Sequence, residues 1–460
     1  MSAPLPIDEL NALRGFFQTG TTRPYSWRRE QLQRLYAVVT ANETAIQQAL
    51  YADLKKGPEE SYATETGLVL SEIRYTLKHL ARWMRPRRVR TNLVNLPASS
   101  TIYQDPLGVI LIIAPWNYPF QLSVVPLAAA IAAGNTVVLK PSEWAPATAA
   151  LLEKLITENF PPELVRVVQG DGAAVVPAML HDFRFDHIFF TGSVAVGRSI
   201  YQLAAEKLTP VTLELGGKSP AVVAEDADLA VAARRIIVGK FTNVGQTCIA
   251  PDYLLVHANI RDRFVPMLQD TITRFYGAQP EQSSDYGRII NEKRFDTLVN
   301  YLSHGRILTG GNYDRQTLYI APTLLTNLSP DAAIMRDEIF GPLLPIFTYR
   351  TTAEAMDFVR RHPDPLAFYL FTSSSEQEKQ WIDKISFGGG CINNADWHFT
   401  NPYLPFGGVG NSGVGAYHGK YSFERFSHPK PLLRSSTFID PAIKYPPFRG
   451  KLKWFKFFLK

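Results

Sequence analysis

The stretch GVILIIAPWNYPFQLSVVPLAAAIAAGNTVVLK, Gly108–Lys140, decides the fold. It opens on an aliphatic run too short for a buried helix and passes through a proline-flanked turn. An alanine-rich segment of helical composition follows, closed by Gly134, and a second β-rich run ends the stretch. Strand, helix, strand, with no polar alternation in either strand, reads as a parallel pair covered on both faces. The unit recurs downstream, where LVRVVQ (Leu164–Gln169) and DHIFFTG (Asp186–Gly192) are further β-rich runs. PATAALLEKLITE, AAVVPAML and GRSIYQLAAEKL supply the helical segments between and after them. A second block places AVVAE, YLLVH, APTLL and LPIFTY among helical stretches such as IRDRFVPMLQDTITRFYG. The expectation is an α/β protein with two such domains in series.

Upstream, apolar residues recur every three to four positions from about Ile7 to Ala81, so that region reads as helices. The basic run RPRRVRT (Arg85–Thr91) ends it, and TNLVNLPASSTIYQDP reads as a strand pair outside the main sheet. A glycine-rich segment, PFGGVGNSGVG, lies near the end.

Composition narrows the function classes. At 460 residues the chain is expected to form two or three domains. Its two cysteines, Cys248 and Cys391, cannot make a disulfide framework and fit a reducing compartment, so a cytoplasmic location is expected. The N-terminus carries acids where a secretory signal needs a basic then apolar region, and no apolar run reaches the ~20 residues that span a bilayer. The net charge is +6, and the last twenty residues hold six basic side chains and no acid. The rest of the chain is therefore neutral, which argues against a nucleic-acid-binding surface.

Several positions carry chemistry, each with two open readings. TGSVAVGRSI (Thr191–Ile200) sets Gly192 and Gly197 at the mouth of a helix, either as a phosphate-binding turn or as a plain strand-to-helix turn. Lys140 and Glu143 of VVLKPSE stand at the carboxyl end of a strand, where α/β sheets bind ligands. They could take the ribose hydroxyls of a dinucleotide or form an exposed pair. Glu214 of VTLELGGKSP is either a buried carboxylate of raised pKa, suited to a general base, or an outward-pointing strand residue. Asn117 of PWNYP is an oxyanion-stabilising amide or a turn residue. Cys248, in KFTNVGQTCIAP, is a nucleophile or a small buried hydrophobe.

Taken in order, PWNYP, VLKPSE, FTGSVAVG, LELGGKSP, GQTCIAPDY, EIFGP, LPFGGVGNSG and YHGKYSFERFSH make the chain resemble the aldehyde dehydrogenase superfamily, class 3, which includes the fatty aldehyde dehydrogenases. The resemblance covers essentially the whole chain. It implies a Rossmann-type parallel-sheet cofactor domain (1–88 and 104–213), an α/β catalytic domain (214–398), a small bridging and oligomerisation β element (89–103 and 399–435) and a basic tail (436–460). It implies Cys248 as nucleophile, Glu214 as general base, and Asn117 with the Cys248 amide as the oxyanion hole. Lys140 and Glu143 match the adenine-side ribose site, Gly192, Ser193 and Gly197 the pyrophosphate turn, and Glu338 and Phe340 the nicotinamide riboside site. Trp116, Val196 and Leu215 complete the cofactor set; no metal ligands are implied, and Cys391 matches no essential position.

The resemblance further implies NAD(P)-dependent oxidation of medium- or long-chain aliphatic, or aromatic, aldehydes to acids, through a cysteine thiohemiacetal and thioester. A carboxylate at Glu143 favours NAD, with NADP as the second possibility. A homodimer is implied, bridged by TNLVNLPASSTIYQ and the chain after Asn401. In the tail, Lys453, Lys456 and Lys460 share one side of a helical wheel drawn at ~100° per residue. Leu452, Trp454, Phe455, Phe458 and Leu459 share the other, and Lys451 breaks the pattern. That suits peripheral contact with a membrane or packing on protein. Val244 stands four residues before Cys248, where many relatives carry a smaller residue. The competing readings are a CoA-acylating enzyme, which needs no hydrolytic base; a catalytically retired binding protein; and a cysteine hydrolase with His418 as base.

Overall fold

The computed structural model describes residues 5–459. Strand β1 (Arg87–Val89) and strand β2 (Ser99–Pro106) pair antiparallel outside the two large sheets. Strands β3 (Val109–Ile113), β4 (Thr136–Lys140), β5 (Val165–Val167), β6 (His187–Thr191) and β7 (Val211–Glu214) belong to the first of these. Strands β8 (Pro220–Val223), β9 (Tyr253–His257) and β10 (Arg306–Thr309) belong to the second. The short β11 (Tyr313–Asp314) and β12 (Tyr319–Ile320) form a separate hairpin. The second sheet continues with β13 (Thr323–Thr326), β14 (Leu343–Tyr349), β15 (Ala367–Phe371) and β16 (Gly389–Ile392). Two strands follow, β17 (Gly413–Val414) and β18 (Ser427–Arg434).

The first sheet runs β17-β7-β6-β3-β4-β5, parallel except for β17. Its strands are apolar throughout because both faces are covered. Ile110 and Ile112 face one core with the helices Tyr25–Ala41, Gly67–Trp83 and Gln121–Ala133. Val109, Leu111 and Ile113 face the other, with helices Ile7–Gln18, Gly172–Asp182 and Val194–Glu206. Gln121–Ala133 has no polar side because it is buried on every side, and it ends at Gly134, whose φ of 90° closes the helix in the left-handed region. The strand order reverses between β3 and β6, so the crevice between their carboxyl ends is the site this architecture reserves for ligands.

The second sheet runs β10-β13-β14-β9-β8-β15-β16, parallel except for β10. The four runs read from sequence are β8, β9, β13 and β14; β10, β15 and β16 went unread. The strand pair expected within TNLVNLPASSTIYQDP is only half there: Ser99–Pro106 is β2, Leu93–Asn95 is a helical turn, and the partner β1 comes from the basic run before it. Strand β18 pairs along the other edge of β2 from Ser427↔Pro106 to Arg434↔Ser99, making a three-stranded sheet. Between β16 and β18 the chain returns to the first sheet, where β17 pairs with β7 at Gly413↔Glu214.

In the tail, Leu452–Phe458 is helical, and Leu452, Trp454, Phe457 and Leu459 are all exposed. Lys451 leaves the basic face because its Nζ turns back to donate to the carbonyls of Ala442 (2.7 Å) and Tyr445 (2.8 Å). Lys460 lies outside the described residues. No helix among the described residues is long and apolar enough to cross a membrane.

Candidate active site

Cys248 follows the helix Leu229–Phe241 in a turn where Asn243, Val244 and Gly245 all take positive φ (52°, 57° and 73°). Only glycine fits at 245, since a Cβ there would stand 2.3 Å from the Gly341 carbonyl oxygen. Val244 is buried against Gly287 and lines neither cavity described below, so its effect is on the turn, where a β-branched residue at positive φ is strained.

Hydrogen bonds join this turn to the Asn117 loop. Asn117 Nδ2 donates to the Gln246 carbonyl (3.0 Å), and Asn243 Nδ2 donates to the same oxygen (3.0 Å) and to the Asn117 carbonyl (2.8 Å). Tyr118 and Thr247 share a hydroxyl contact at 2.6 Å. Beneath them lies a fully buried ion pair, Lys56 Nζ to Glu65 Oε1 at 2.6 Å. Lys56 also donates to the Asn117 carbonyl (3.0 Å), while Glu65 Oε2 accepts the amides of Phe120 (2.9 Å) and Gln121 (3.1 Å). Breaking such a pair from one side typically costs about 3–5 kcal/mol, so the loop carrying Asn117 is rigidly held.

A cavity of about 720 Å³ opens over the carboxyl ends of β3, β6 and β7. Its wall holds Trp116, Asn117, Gly192, Ser193, Glu214, Leu215, Cys248, Glu338 and Phe340. Val196, Gly197, Lys140 and Glu143 are not on that wall. Gly197 serves packing, because a Cβ there would meet Leu215 at 2.5 Å. Lys140 Nζ donates to Glu143 Oε2 at 2.8 Å, and Glu143 Oε1 accepts the Gly172 amide at 3.2 Å. Burial works against the Glu143 charge, yet these bonds hold its carboxyl below the usual range.

The loop bearing Glu338 and Phe340 is braced by residues that carry no local sequence signal. Buried Lys218 pairs with Asp252 and donates to the carbonyls of Ile334 (2.9 Å) and Asp337 (3.1 Å). Asp252 Oδ1 accepts the Ile339 amide (2.9 Å), and Arg294 Nη2 donates to the Glu338 carbonyl (3.2 Å). Phe340 meets Trp116 edge-on at 5.2 Å. Gly216 lets the Glu338 carboxylate approach its backbone, since a Cβ there would fall 2.0 Å from Oε2.

A second, narrow cavity of about 50 Å³ meets the first at Cys248, Glu214 and Thr191. Apart from those, Tyr118, Leu122, Ile249, Phe399, Phe406 and Tyr417 form most of its apolar surface. Glu214 does not point outward. It is buried where the cavities meet, with neither carboxylate oxygen hydrogen-bonded, and burial raises its pKa well above the ordinary value against a small opposing pull from Arg425. Burial likewise raises the Cys248 thiol, and the carboxylates of Glu338, Glu214 and Asp396 add to it. His418 lines the narrow cavity, but burial holds its pKa down at about 4 and no hydrogen bond joins it to Cys248 among the described residues. It is poorly placed as a base for that thiol.

The aldehyde dehydrogenase family profile matches residues 11–432. The chain belongs to the aldehyde dehydrogenase family. As a member it is an oxidoreductase that acts on aldehydes. It is similar to the 4,4'-diaponeurosporen-aldehyde dehydrogenase of Staphylococcus aureus, 46% identical over 97% of each chain. It is also similar to the mouse "Aldehyde dehydrogenase, dimeric NADP-preferring", 44% identical over 96% of this chain and 98% of that one. Its fold superposes on Staphylococcus aureus AldH in a substrate-bound state with a TM-score of 0.96, at 45% identity, covering 98% and 99% of the two chains.

Proposed function

We propose that the chain oxidises medium- or long-chain aliphatic, or aromatic, aldehydes to carboxylic acids with NAD or NADP. The observation that carries this reading is the junction of two cavities at Cys248, one wide and ending at a helix N-terminus, the other narrow and apolar.

The larger cavity fits a dinucleotide. At one side the helix Val194–Glu206 presents its first amides beside Gly192 and Ser193, a setting for pyrophosphate. Lys140 and Glu143 would hold the adenine-side ribose, and Glu338 and Phe340 the nicotinamide riboside, with Val196 in the first turn of the helix Val194–Glu206. Bound there, the oxidised nicotinamide supplies the hydride acceptor.

The chain's own groups do the rest. Cys248 Sγ, as thiolate, adds to the carbonyl carbon, and the C=O electron pair moves onto oxygen. Asn117 Nδ2 has one proton engaged by Gln246 and one free, so with the Cys248 amide it can stabilise that oxyanion, typically worth about 3–4 kcal/mol per donor. Loss of hydride leaves a thioester on Cys248. Glu214 then takes a proton from water, the hydroxide adds to the thioester carbon, the C–S bond breaks to release the acid and the Cys248 thiolate, and Glu214 passes its proton on to solvent. A CoA-acylating enzyme has no use for this last group, and the burial of Glu214 beside Cys248 favours hydrolysis.

The test is nicotinamide reduction by the purified chain with NAD or NADP across aldehydes of increasing length and aromatic ones. Efficiency rising with apolar length is expected; no reduction with any aldehyde would overturn the reading. The Glu143 carboxylate should repel a 2′-phosphate, so Glu143→Gln should shift kcat/KM towards NADP over NAD by about tenfold. An unchanged ratio removes Glu143 from cofactor choice.

The S. aureus relative is named for a 4,4'-diaponeurosporen-aldehyde and the mouse relative as dimeric. We read this chain also as a homodimer, through the free edge of β18 with its exposed Leu432 and Leu433. Residues 1–88 and 104–213 hold the dinucleotide in this reading, 214–398 carry the chemistry, and 89–103 with 399–435 bridge the protomers. The exposed aromatics and lysines of Leu452–Phe458 support peripheral contact with anionic lipid. Deleting residues 448–460 should abolish partitioning onto anionic vesicles; unchanged partitioning rules the tail out.

A further inference from the structure

Asp396 stands in the narrow cavity without a role in the chemistry above. It lies after β16, at the start of the short turn Trp397–Thr400, and its backbone is held at φ 69°, ψ −35°, a conformation that costs a non-glycine residue about 1–3 kcal/mol. The residue is only 8% exposed, and its Oδ1 has no hydrogen-bond partner. Among the described residues, no lysine or arginine lines this cavity. Burial holds His418, on the same wall, neutral with its pKa down at about 4, and Glu214 faces the same space as a second acid. Burial also pushes Asp396 itself up to about 7, with no hydrogen bond or cation opposing the shift.

A carboxyl in a passage whose surface is mostly apolar, with Leu122, Ile249, Phe399 and Phe406 among its walls, is not what a plain alkyl chain calls for. Leaving a buried polar group unpaired typically costs about 1–3 kcal/mol, and an alkyl substrate seated against Asp396 supplies no partner. A chain bearing a hydroxyl at that depth can donate its proton to the Asp396 carboxyl and remove the cost. Sites that hold such a lone acceptor discriminate strongly against analogues lacking the donor.

We propose that Asp396 is a specificity-determining residue that selects aldehydes carrying a hydroxyl, or another hydrogen-bond donor, on their chain over plain alkyl aldehydes of equal length. This rests on the assignment of the narrow cavity to the aldehyde.

The test uses the full chain with NAD and pairs of aldehydes of equal length, one plain and one with a hydroxyl walked along the chain. For the wild type, the kcat/KM ratio of hydroxylated to plain aldehyde should peak at one hydroxyl position. Asp396→Leu should lower that peak ratio by about tenfold or more, partly by improving the plain aldehyde. Asp396→Asn keeps an acceptor oxygen and should retain most of the ratio. If Asp396→Leu does not fold, Asp396→Ala is read in its place. A flat wild-type ratio, or a ratio that Leu or Ala leaves unchanged, overturns the proposal. So does a proportional loss on both substrates in every variant, because a merely structural role lowers both alike. Oxidation of no aldehyde at all would overturn the parent reading and this one together, whereas oxidation with a flat ratio overturns this one alone.

Discussion

Replacing Cys248 by Ala should lower aldehyde oxidation by about 10⁴-fold or more, while dinucleotide affinity stays within about twofold. The first half follows from position. Cys248 is on the wall of both cavities, at their junction, so its thiol is in reach of a group entering by either route. No other thiol can stand in. Cys391 lies on β16 with its Sγ 3.8 Å from His398 Nδ1, and it lines neither cavity. The second half follows from the elements that would hold the dinucleotide. The helix N-terminus at Val194, the Lys140–Glu143 pair and the Glu338 loop, braced by Asp252, are each held by groups other than the Cys248 side chain. Steady-state rates with an apolar aldehyde and a fluorescence titration with the dinucleotide measure the two halves separately. Near-normal turnover would end the thiohemiacetal proposal. Lost binding would mean that Cys248 shapes the cavity and does not merely react in it.

Why some of this was legible in the sequence and some was not has a physical basis. Parallel strands covered on both faces are uninterrupted apolar runs, so β3, β4 and β6 announced themselves, and the site residues at their carboxyl ends came with them. The free-edge strand β10 and the glycine-bearing β16 carry no such run, whereas β15 (AFYLF) is an apolar run between the helices Thr352–Arg360 and Ser375–Lys384 and follows the same pattern as β3. For Glu214 the period of two along a strand left its direction undecided; only β17, arriving from residue 413, and the surrounding cavity walls fix it inward. The braces were invisible for a different reason. Lys56 holds Asn117 from sixty-one positions away, and Arg294 reaches Glu338 across forty-four. A charged residue in a helix or loop reads as solvated surface until the fold buries it. Asp396 was overlooked on the same ground, as one more polar residue in NNADWH.

Replacing Glu214 by Gln should leave the first turnover and stop the cycle afterwards. With the base gone, hydrolysis of the Cys248 thioester should slow by about 10²–10⁴-fold, while thiol addition and hydride loss, in which Glu214 takes no part, continue. Rapid mixing should then show a burst of reduced nicotinamide close to one per site, followed by a slow steady rate, and the acyl group should be recoverable on Cys248. Steady-state turnover equal to the wild type would take Glu214 out of the base role. The same variant carries a second readout that needs no substrate. Glu214 has a raised pKa in the folded protein because it is buried with both oxygens unpartnered. Above the ordinary carboxylate value of about 4.5, the unfolded chain gives up this proton and the folded chain keeps it, so folding holds more protons than unfolding does. Stability attributable to Glu214 therefore falls as pH rises, by about 1.4 kcal/mol per pH unit, until the pH passes the raised pKa. Gln titrates in neither state. The stability of Glu214→Gln relative to wild type should thus climb as the pH rises above the ordinary carboxylate value of 4.5, read from urea melts at each pH. The wild-type deacylation rate should rise over the range in which Glu214 loses its proton. A difference in stability independent of pH would mean that Glu214 sits ionised in the folded enzyme, and the rise of deacylation rate with pH would then belong to another group.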